Sequence, residues 1–224
     1  MESVEIIAEL KEYYNKKNIA GMKRFGISGK NVLGGPSIPI LRKMAKKIGK
    51  DHKLAAELWK SGIHEARILA GMIDDPKQLS EKQMDSWVKD FDSWDLVDQT
   101  CMNLFDKTSF AEKKIYEWVG NEKEFIRRSA FSMIAVMAVH SNHKDNTFIN
   151  YLSLIKKYSI DERNYVRKAV NWGLRQIGKR NKKLNRAAIK TAEQILCLNT
   201  KSSRWIANDA LRELKSEAVQ KRLK

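Results

Sequence analysis

Cysteine and proline are scarce in this chain of 224 residues, which contains 2 cysteines and 3 prolines. Cys101 and Cys197 are far apart and form no CxxC pair, so the sequence predicts neither a zinc site nor a disulfide framework. Reduced thiols are the expected state of both cysteines, as in a cytoplasmic protein.

Long apolar runs are also missing from the sequence. The longest, Met133 to Val139, falls far short of the roughly 20 residues that span a bilayer. The first residues, Met-Glu-Ser-Val-Glu, are acidic and lack the charged-then-apolar order of a signal peptide. We therefore expect no membrane association.

The sequence lacks strand signals as well. It contains no Asn-Gly or Asp-Gly hairpin turn and no long alternating run of apolar residues. Two of the prolines lie in the segment 33–39, which is typical of a loop that enters a helix. Apolar residues recur at helical spacing, for example Val166, Val170, Leu174 and Ile177. The pattern predicts an all-α protein.

A repeat with a period of 40 residues runs through the second half of the chain. Aromatic residues stand at Phe125, Tyr165 and Trp205, and compact apolar residues stand five positions later at Ala130, Val170 and Ala210. A period near 40 with two helices per unit is typical of HEAT and armadillo repeats, which stack into solenoids. We therefore predict an α-α superhelix (solenoid) of HEAT-like helical repeats that forms a single domain over residues 1–224.

Positive charge is in excess, with a net charge of +16, but it is unevenly distributed. Residues 51–112 carry 7 Lys and Arg against 13 Asp and Glu, whereas the segments on both sides are basic. Such a cationic surface favours a phosphate backbone as partner. An anionic membrane is the alternative, but the basic segments do not combine clustered Trp or Phe with one strongly apolar face. The solenoid is therefore expected to have a concave basic face.

One predicted helix combines cations with an aromatic residue on a single face. Lys168, Trp172, Arg175 and Lys179 follow the spacing i, i+4, i+7, i+11. A structural Trp would be expected on the core side, and a solvated basic face would not need an indole. An indole among cations is the pattern of a nucleic-acid contact.

Arg127 and Arg128 occupy the first turn of the equivalent helix one repeat earlier. Cations at this position do not suit the helix dipole, whereas a phosphate bound at the helix N-terminus would explain them. An ion pair with Glu122 or Glu124 is the alternative explanation.

Trp94 and Asp98 lie in the acidic stretch 91–98, where their spacing puts an indole and a carboxylate one turn apart on one helix face. Asp92 and Asp95 are expected near the helix start, as caps or dipole partners. Asp98 lies beyond the positions where a cap is needed, and a partly buried carboxylate is costly without a partner or a task. An ordinary amphipathic helix with a buried Trp is the alternative.

No metal or cofactor site can be assigned from the sequence. His140 and His143 are three residues apart, but no further ligand follows at a useful spacing. Gly34 and Gly35 are not followed by the Gly-Lys-Ser/Thr ending of a phosphate loop. We expect neither a metal nor an organic cofactor.

Three segments in register on the repeat resemble the HEAT-like-repeat DNA glycosylases of the AlkD type, the DNA alkylation repair proteins. These segments are residues 93–98 with Trp94 and Asp98, residues 125–130 with Arg128, and residues 165–175 with Trp172. They occur in the order that the family has them. The segment 34–43 resembles the family's N-terminal loop and helix, so the resemblance covers nearly the whole chain.

The resemblance implies excision of alkylated purines from duplex DNA. In that family the counterpart of Asp98 is the catalytic carboxylate, and the counterparts of Trp94 and Trp172 line the site against the damaged nucleotide. Arg128 and Arg175 match positions that contact the DNA strand. The family also leaves the damaged base in the duplex, unlike most glycosylases. With the basic face included, the expected DNA-binding residues are Arg128, Arg175, Lys168 and Lys179.

The hypothesis is a monomeric glycosylase that acts on double-stranded DNA with alkylated bases, without an obligatory protein partner. In a bacterium we expect it in the cytoplasm, associated with the nucleoid. One alternative is a non-catalytic protein on the same scaffold that binds branched or damaged DNA. Another is a HEAT-type protein–protein adaptor, which would need an acidic or mixed concave face and is disfavoured by the face of Lys168 and Trp172.

Overall fold

Helices account for nearly all of the secondary structure. The computed structural model of the protein describes residues 2–27 and 31–223, and over these ranges it contains α-helices and two 3-10 turns but no strand. The all-α prediction is confirmed. None of the described helices combines the length and the apolar character needed to cross a membrane.

The chain packs as two compact units, of which the first ends at Ala111 and the second begins at Glu112. The single domain over residues 1–224 stays a prediction. The helices of the first unit are α1 (Ser3–Glu12), α2 (Lys16–Arg24), α3 (Ile38–Ile48), α4 (His52–Lys60), α5 (His64–Ile73), α6 (Glu81–Trp87) and α7 (Trp94–Asn103). The 3-10 turns are Val88–Asp90 and Phe105–Lys107.

The second unit consists of helices that pack in consecutive pairs. Its helices are α8 (Ala111–Trp118), which begins at the boundary, α9 (Glu124–His140), α10 (Asp145–Tyr158), α11 (Asn164–Gly178), α12 (Lys182–Leu196), α13 (Lys201–Leu214) and the short α14 (Glu217–Gln220). α11 packs on α9 and α13, and α10 packs on α12, so equivalent helices of successive pairs are neighbours.

α5 is the central helix of the first unit, and nine of its ten residues are buried. It packs on α3, α4 and α7. At the contact with α7, a Cβ added to Gly71 would lie 3.4 Å from the backbone of Thr100, so the two helices approach closely. α7, which carries Trp94 and Asp98, is therefore fixed against the core of this unit.

The predicted repeat of 40 residues is confirmed in the second unit. The rings of Phe125 and Tyr165 stack with their centroids 5.5 Å apart, and the guanidinium of Arg167 lies 5.2 Å from the ring centroid of Trp205. The compact positions of the repeat are fully buried, namely Ala130, Val170 and Ala210. The aromatic positions are therefore contacts between neighbouring helix pairs.

Glutamates connect the N-terminal ends of the same helices. Glu124, at the start of α9, accepts a hydrogen bond from the backbone N–H of Tyr165 in α11 at 3.0 Å. One repeat later, Glu162 accepts from the backbone N–H of Ser202 in α13, also at 3.0 Å. A helix N-terminus leaves its first four N–H groups without intrahelical partners. The glutamate of each repeat therefore satisfies one of these N–H groups in the next repeat.

Asp161 joins three helices of the second unit. Its carboxylate accepts hydrogen bonds from Arg127 of α9 at 2.7 Å and from Arg163, just before α11, at 2.5 Å. Its backbone carbonyl accepts from the hydroxyl of Ser202 in α13 at 2.8 Å. Burial raises the pKa of Asp161, but the hydrogen bonds from Arg163 and Arg127 outweigh it and hold the pKa below its ordinary value.

Asp161→Asn is expected to lower the free energy of unfolding by about 1–2 kcal/mol, because two guanidinium groups lose their charged acceptor. A carboxylate with a depressed pKa contributes stability that is present above its unfolded pKa and is lost as the pH falls through the folded pKa. The difference between variant and wild type should therefore be present at neutral pH and vanish in acid. Urea unfolding at several pH values measures it.

Glu193→Gln is the matched control, because Glu193 is an exposed carboxylate that pairs with Lys215 at 3.0 Å. It should change stability little at any pH, as is usual for surface ion pairs. If the effect of Asp161→Asn were the same in acid as at neutral pH, the ionised Asp161 would not be its cause.

Candidate active site and nucleic-acid interface

Trp94 is the first residue of α7, and Asp98 follows one turn later on the same face. Both side chains are half-buried, whereas Leu96 and Val97 on the other side of the helix are fully buried. The indole N–H of Trp94 donates to the backbone carbonyl of Phe25, at the C-terminal end of α2, at 2.8 Å. The structure thus places an indole beside a carboxylate and sets the orientation of the ring through α2.

A histidine binds Asp95, the neighbour of Trp94. Nε2 of His64, the first residue of α5, lies 2.9 Å from Oδ2 of Asp95. Burial lowers the pKa of His64, but the hydrogen bond and charge of Asp95, together with Glu65 and Asp92, outweigh it and raise the pKa. Burial raises the pKa of Asp95, but His64 brings it below its ordinary value. The pair links the first turns of α5 and α7.

A cavity of about 870 Å³ opens beside Trp94 within the first unit. Its mostly apolar wall is formed by α2, the segment 34–38, α3, α5 and α7. Trp94 and Asp95 contribute to the wall from α7, and His64 and Glu65 contribute from α5. The candidate catalytic helix therefore borders a cavity that is open to solvent.

The residues of the predicted basic face lie on α11 or directly after it, and part of their charge is neutralised. Lys168 is exposed and Trp172 is half-buried. Arg175 and Lys179 both reach Glu213 of α13, at 2.5 and 2.7 Å. Burial raises the pKa of Glu213, but Lys179 and Arg175 outweigh it and lower the pKa. Two of the cations on this face thus share one carboxylate.

Arg128 is buried within the repeat, with 5% of its surface exposed. Its guanidinium donates to the backbone carbonyl of Tyr165 in the next repeat at 2.6 Å. Arg127 pairs with Asp161, a partner in the next repeat that the sequence did not suggest. The contact between Arg128 and a DNA strand stays a prediction.

The predicted site residues are divided between the two units. Trp94 and Asp98 belong to the first unit, and the others belong to the second. The second set consists of Arg128, Lys168, Trp172, Arg175 and Lys179.

A profile of the DNA alkylation repair enzyme family matches residues 6–214. The chain belongs to the DNA alkylation repair enzyme family. The match takes in all seven predicted site residues, so the resemblance indicated by the three motifs is confirmed at the level of the family. No curated protein sequence matches this family member.

A solved structure shows that this member of the DNA alkylation repair enzyme family has a HEAT-like fold. One structure, described as a new family of proteins related to the HEAT-like repeat DNA glycosylases with affinity for branched DNA structures, matches with a TM-score of 0.77. Its sequence identity is 20%, and the match covers 95% of each chain. A designed armadillo repeat protein in complex with a (KR)4 peptide gives a TM-score of 0.37 at 13% identity, over 96% of this chain and 95% of that one.

Sequence reasoning about this family member missed His64 and Glu65. Glu65 accepts hydrogen bonds from the backbone N–H groups of Leu33 and Gly34 at 2.8–3.1 Å and so fixes the loop before α3. One signal is present, because residues 65–70 form a faint copy of the repeat with a carboxylate in place of the aromatic residue. The contact of His64 with α7 has no local signature.

The imidazole of His64 is expected to titrate above 6.5, its ordinary pKa, because Asp95 stabilises the protonated ring. Asp95→Asn removes that charge and should lower the pKa of His64, since burial is then opposed only by the charges of Glu65 and Asp92. NMR titration of the imidazole signals measures the pKa, and His64→Gln identifies the signal. Asp92→Asn, at an exposed position, is the control and should shift the pKa only slightly.

The same pair gives a stability test of the opposite sign to that of Asp161. A raised folded pKa contributes stability that is present below the unfolded pKa and is lost as the pH rises through the folded pKa. Asp95→Asn should therefore destabilise the protein more in mildly acidic than in alkaline solution. An unchanged pKa of His64 in this variant would contradict the ion pair.

Proposed function

We propose that the protein is a DNA glycosylase that hydrolyses the N-glycosidic bond of cationic alkylated purines, such as 3-methyladenine and 7-methylguanine, in duplex DNA. The observation that carries this proposal is the pair formed by Trp94 and Asp98. Both lie on one face at the start of α7, and the indole is held in place by the carbonyl of Phe25. Membership of the DNA alkylation repair enzyme family supports the substrate class.

The substrate itself lowers the demand on the catalyst. Alkylation at N3 or N7 gives the purine a positive charge, so the base leaves as a neutral molecule when the bond to C1′ breaks and its electron pair stays with the base. No general acid is needed to protonate the leaving group. The positive charge passes to the deoxyribose, which develops oxocarbenium character. This route requires neither a metal nor an organic cofactor.

Asp98 and Trp94 are complementary to the positive charge that develops on the sugar. A carboxylate fixed near C1′ stabilises the oxocarbenium ion electrostatically and orients the water whose oxygen bonds to C1′. The water proton is then released to solvent through the carboxylate. An indole face stabilises a cation by roughly 0.5–2 kcal/mol, and Trp172 is proposed to add a second face.

Side chains of α11 are proposed to hold the DNA strand. Lys168 is exposed and makes no ion pair with a described residue, so its ammonium group is available to a phosphate. Arg175 and Lys179 share Glu213 and are therefore expected to contribute less than two free cations. Phosphate contacts of this kind position the duplex but carry no sequence information.

A second candidate function is binding of branched DNA without catalysis. The solved structure with a TM-score of 0.77 is described as having affinity for branched DNA structures, although its identity to this chain is only 20%. The presence of Trp94 and Asp98 at the start of α7 favours the enzyme. Release of a methylated base distinguishes the two functions.

Asp98→Asn is expected to reduce release of 7-methylguanine or 3-methyladenine from methylated duplex DNA by roughly 100-fold, because the oxocarbenium ion loses its charged partner. Affinity for the duplex should survive, since the substitution removes a negative charge from the site. Asp92→Asn is the matched control, because Asp92 is an exposed carboxylate two residues before the same helix. No release by wild type, with tight and salt-dependent binding to DNA junctions, would establish the non-catalytic function instead.

Lys168→Ala is expected to weaken binding to all duplex sequences alike and to reduce the salt slope of the affinity by about 0.9, the value for one phosphate contact. Fluorescence anisotropy at several salt concentrations measures the slope. Lys221→Ala is the control, because Lys221 is an exposed lysine that Glu217 pairs at 2.5 Å. Equal slopes for wild type and Lys168→Ala would rule out a phosphate contact at Lys168.

A further inference from the structure

The second unit contains two layers of helices. α9, α11 and α13 form the first layer and α10 and α12 the second, since α11 packs on α9 and α13 while α10 packs on α12. Two glycines show which side of α11 meets the second layer. A Cβ added to Gly173 would lie 3.5 Å from Ile155 of α10, and a Cβ added to Gly178 would lie 3.0 Å from Ala188 of α12.

The basic face of α11 lies on the other side of that helix. Its residues are Lys168, Trp172, Arg175 and Lys179. With 3.6 residues per turn, their mean direction around the helix axis is about 160° from the mean direction of Gly173 and Gly178. The basic face of α11 therefore points away from α10 and α12. A ligand on the outside of the second layer would not compete with DNA that α11 holds.

α12 carries a group of exposed cations on its outer side. The group consists of Lys182, Lys183, Arg186 and Lys190. With 3.6 residues per turn, these cations fall within an arc of about 100° and over about 12 Å of the helix. The buried residues Leu184, Ala188 and Ile195 lie on the opposite side of α12, toward the rest of the unit. The four cations, here called the outer face of α12, therefore point away from the first layer.

Carboxylates neutralise little of the outer face of α12. α10 and α12 contain only two acidic residues, Asp145 and Glu193. Glu193 pairs with Lys215 at 3.0 Å, and Asp145 lies 4.0 Å from Lys183. The other three cations of the outer face form no ion pair with any residue that the structure describes. Most of this positive charge is thus available to an anionic ligand.

The arrangement of these cations disfavours the helix that carries them. Lys182 and Lys183 occupy the first turn of α12, where cations oppose the helix dipole and no acidic residue offsets them. Arg186 lies four residues from both Lys182 and Lys190, and like charges at this spacing destabilise a helix. A face that is only solvated would be more stable with charges of both signs. A polyanion lying on the face would compensate for the repulsion.

α10 extends this surface with neutral hydrogen-bond donors. Asn146, Asn150, Ser153 and Lys157 are exposed on one side of the helix. Amides, hydroxyls and cations are the side-chain groups that contact the phosphates and sugars of DNA. α10 packs on α12, so the two exposed sides are neighbours. No exposed residue of α10 or α12 is aromatic, which disfavours a membrane as the ligand.

We propose that the outer side of α10 and α12 is a second binding surface for duplex DNA. One protein molecule then holds two duplexes on opposite sides of its second unit. The second duplex is held through its phosphates, without recognition of sequence. The proposal goes beyond the proposed function, because no base is released on this surface. It rests on that function only for the first duplex, which lies on α11.

The stoichiometry of the complex tests the second surface. The probe is an unmodified duplex of about 12 base pairs, about 40 Å long and too stiff to wrap around the unit. Sedimentation equilibrium with excess duplex in about 50 mM salt should show two duplexes per wild-type molecule. A protein with Lys183→Gln, Arg186→Gln and Lys190→Gln should bind one. The second binding step of wild type should have a salt slope of about −2.7, since each of three phosphate contacts contributes about −0.9.

A matched control removes the same charge at another place. Lys77, Lys82 and Lys89 are exposed lysines of the acidic segment 51–112. A protein with Lys77→Gln, Lys82→Gln and Lys89→Gln should still bind two duplexes. The variant of α12 is expected to unfold at the same or a higher urea concentration than wild type, because its like-charge pairs are gone. Loss of the second duplex would then not result from loss of folding.

Three results would overturn the proposal. They are one duplex per wild-type molecule, two duplexes bound by the α12 variant, and loss of the second duplex in the control variant. Binding of vesicles that contain phosphatidylserine, abolished by the α12 substitutions while wild type binds only one duplex, would identify a membrane surface instead. Release of methylated bases is measured separately and should be unchanged in the α12 variant. Failure of the second surface therefore leaves the proposed function intact, whereas a wild type that binds no duplex would contradict both.

Discussion

A carboxylate bound to the backbone N–H groups of a neighbouring segment is the interaction on which both units depend. In the first unit Glu65 of α5 binds the loop before α3, and in the second unit Glu124 and Glu162 bind the starts of α11 and α13. The contact of Glu65 fixes a loop, whereas those of Glu124 and Glu162 each satisfy an N–H group that a helix start leaves free.

Hydrogen bonds within the first unit also account for part of the acidic segment 51–112, although the protein as a whole is basic. Asp74 is fully buried and lies 2.6 Å from His52 and 3.1 Å from Gln83. Asp90 accepts a hydrogen bond from the indole N–H of Trp59 at 2.8 Å. Asp74 and Asp90 thus hold neighbouring side chains in place within the first unit.

Charge is also balanced locally where function is proposed. Glu213 partly neutralises the basic face of α11, and Asp95 and His64 form a pair beside Trp94. Such pairs fix the direction of side chains that would otherwise be mobile, which is a condition for electrostatic stabilisation of a transition state.

Much of the fold and part of the candidate site could be predicted from the sequence. The buried residues of α11, the start of α3 at Ile38 and the repeat of 40 residues follow from patterns that recur within a few turns of helix. Trp94 and Asp98 could be paired because four residues make one turn. The membership of the family could be recognised because the motifs keep their order along the chain.

The sequence by itself determined the helices and the residues that one helix brings together, since these depend on neighbours at most four residues apart. It also determined the repeat, because similar motifs recur along the chain. Only the tertiary structure decided that Arg128 is buried against Tyr165, 37 residues away, and that His64 meets Asp95, 31 residues away. It also decided that a cavity borders Trp94. Contacts between helices depend on how side chains of distant segments pack, and no local spacing encodes that packing.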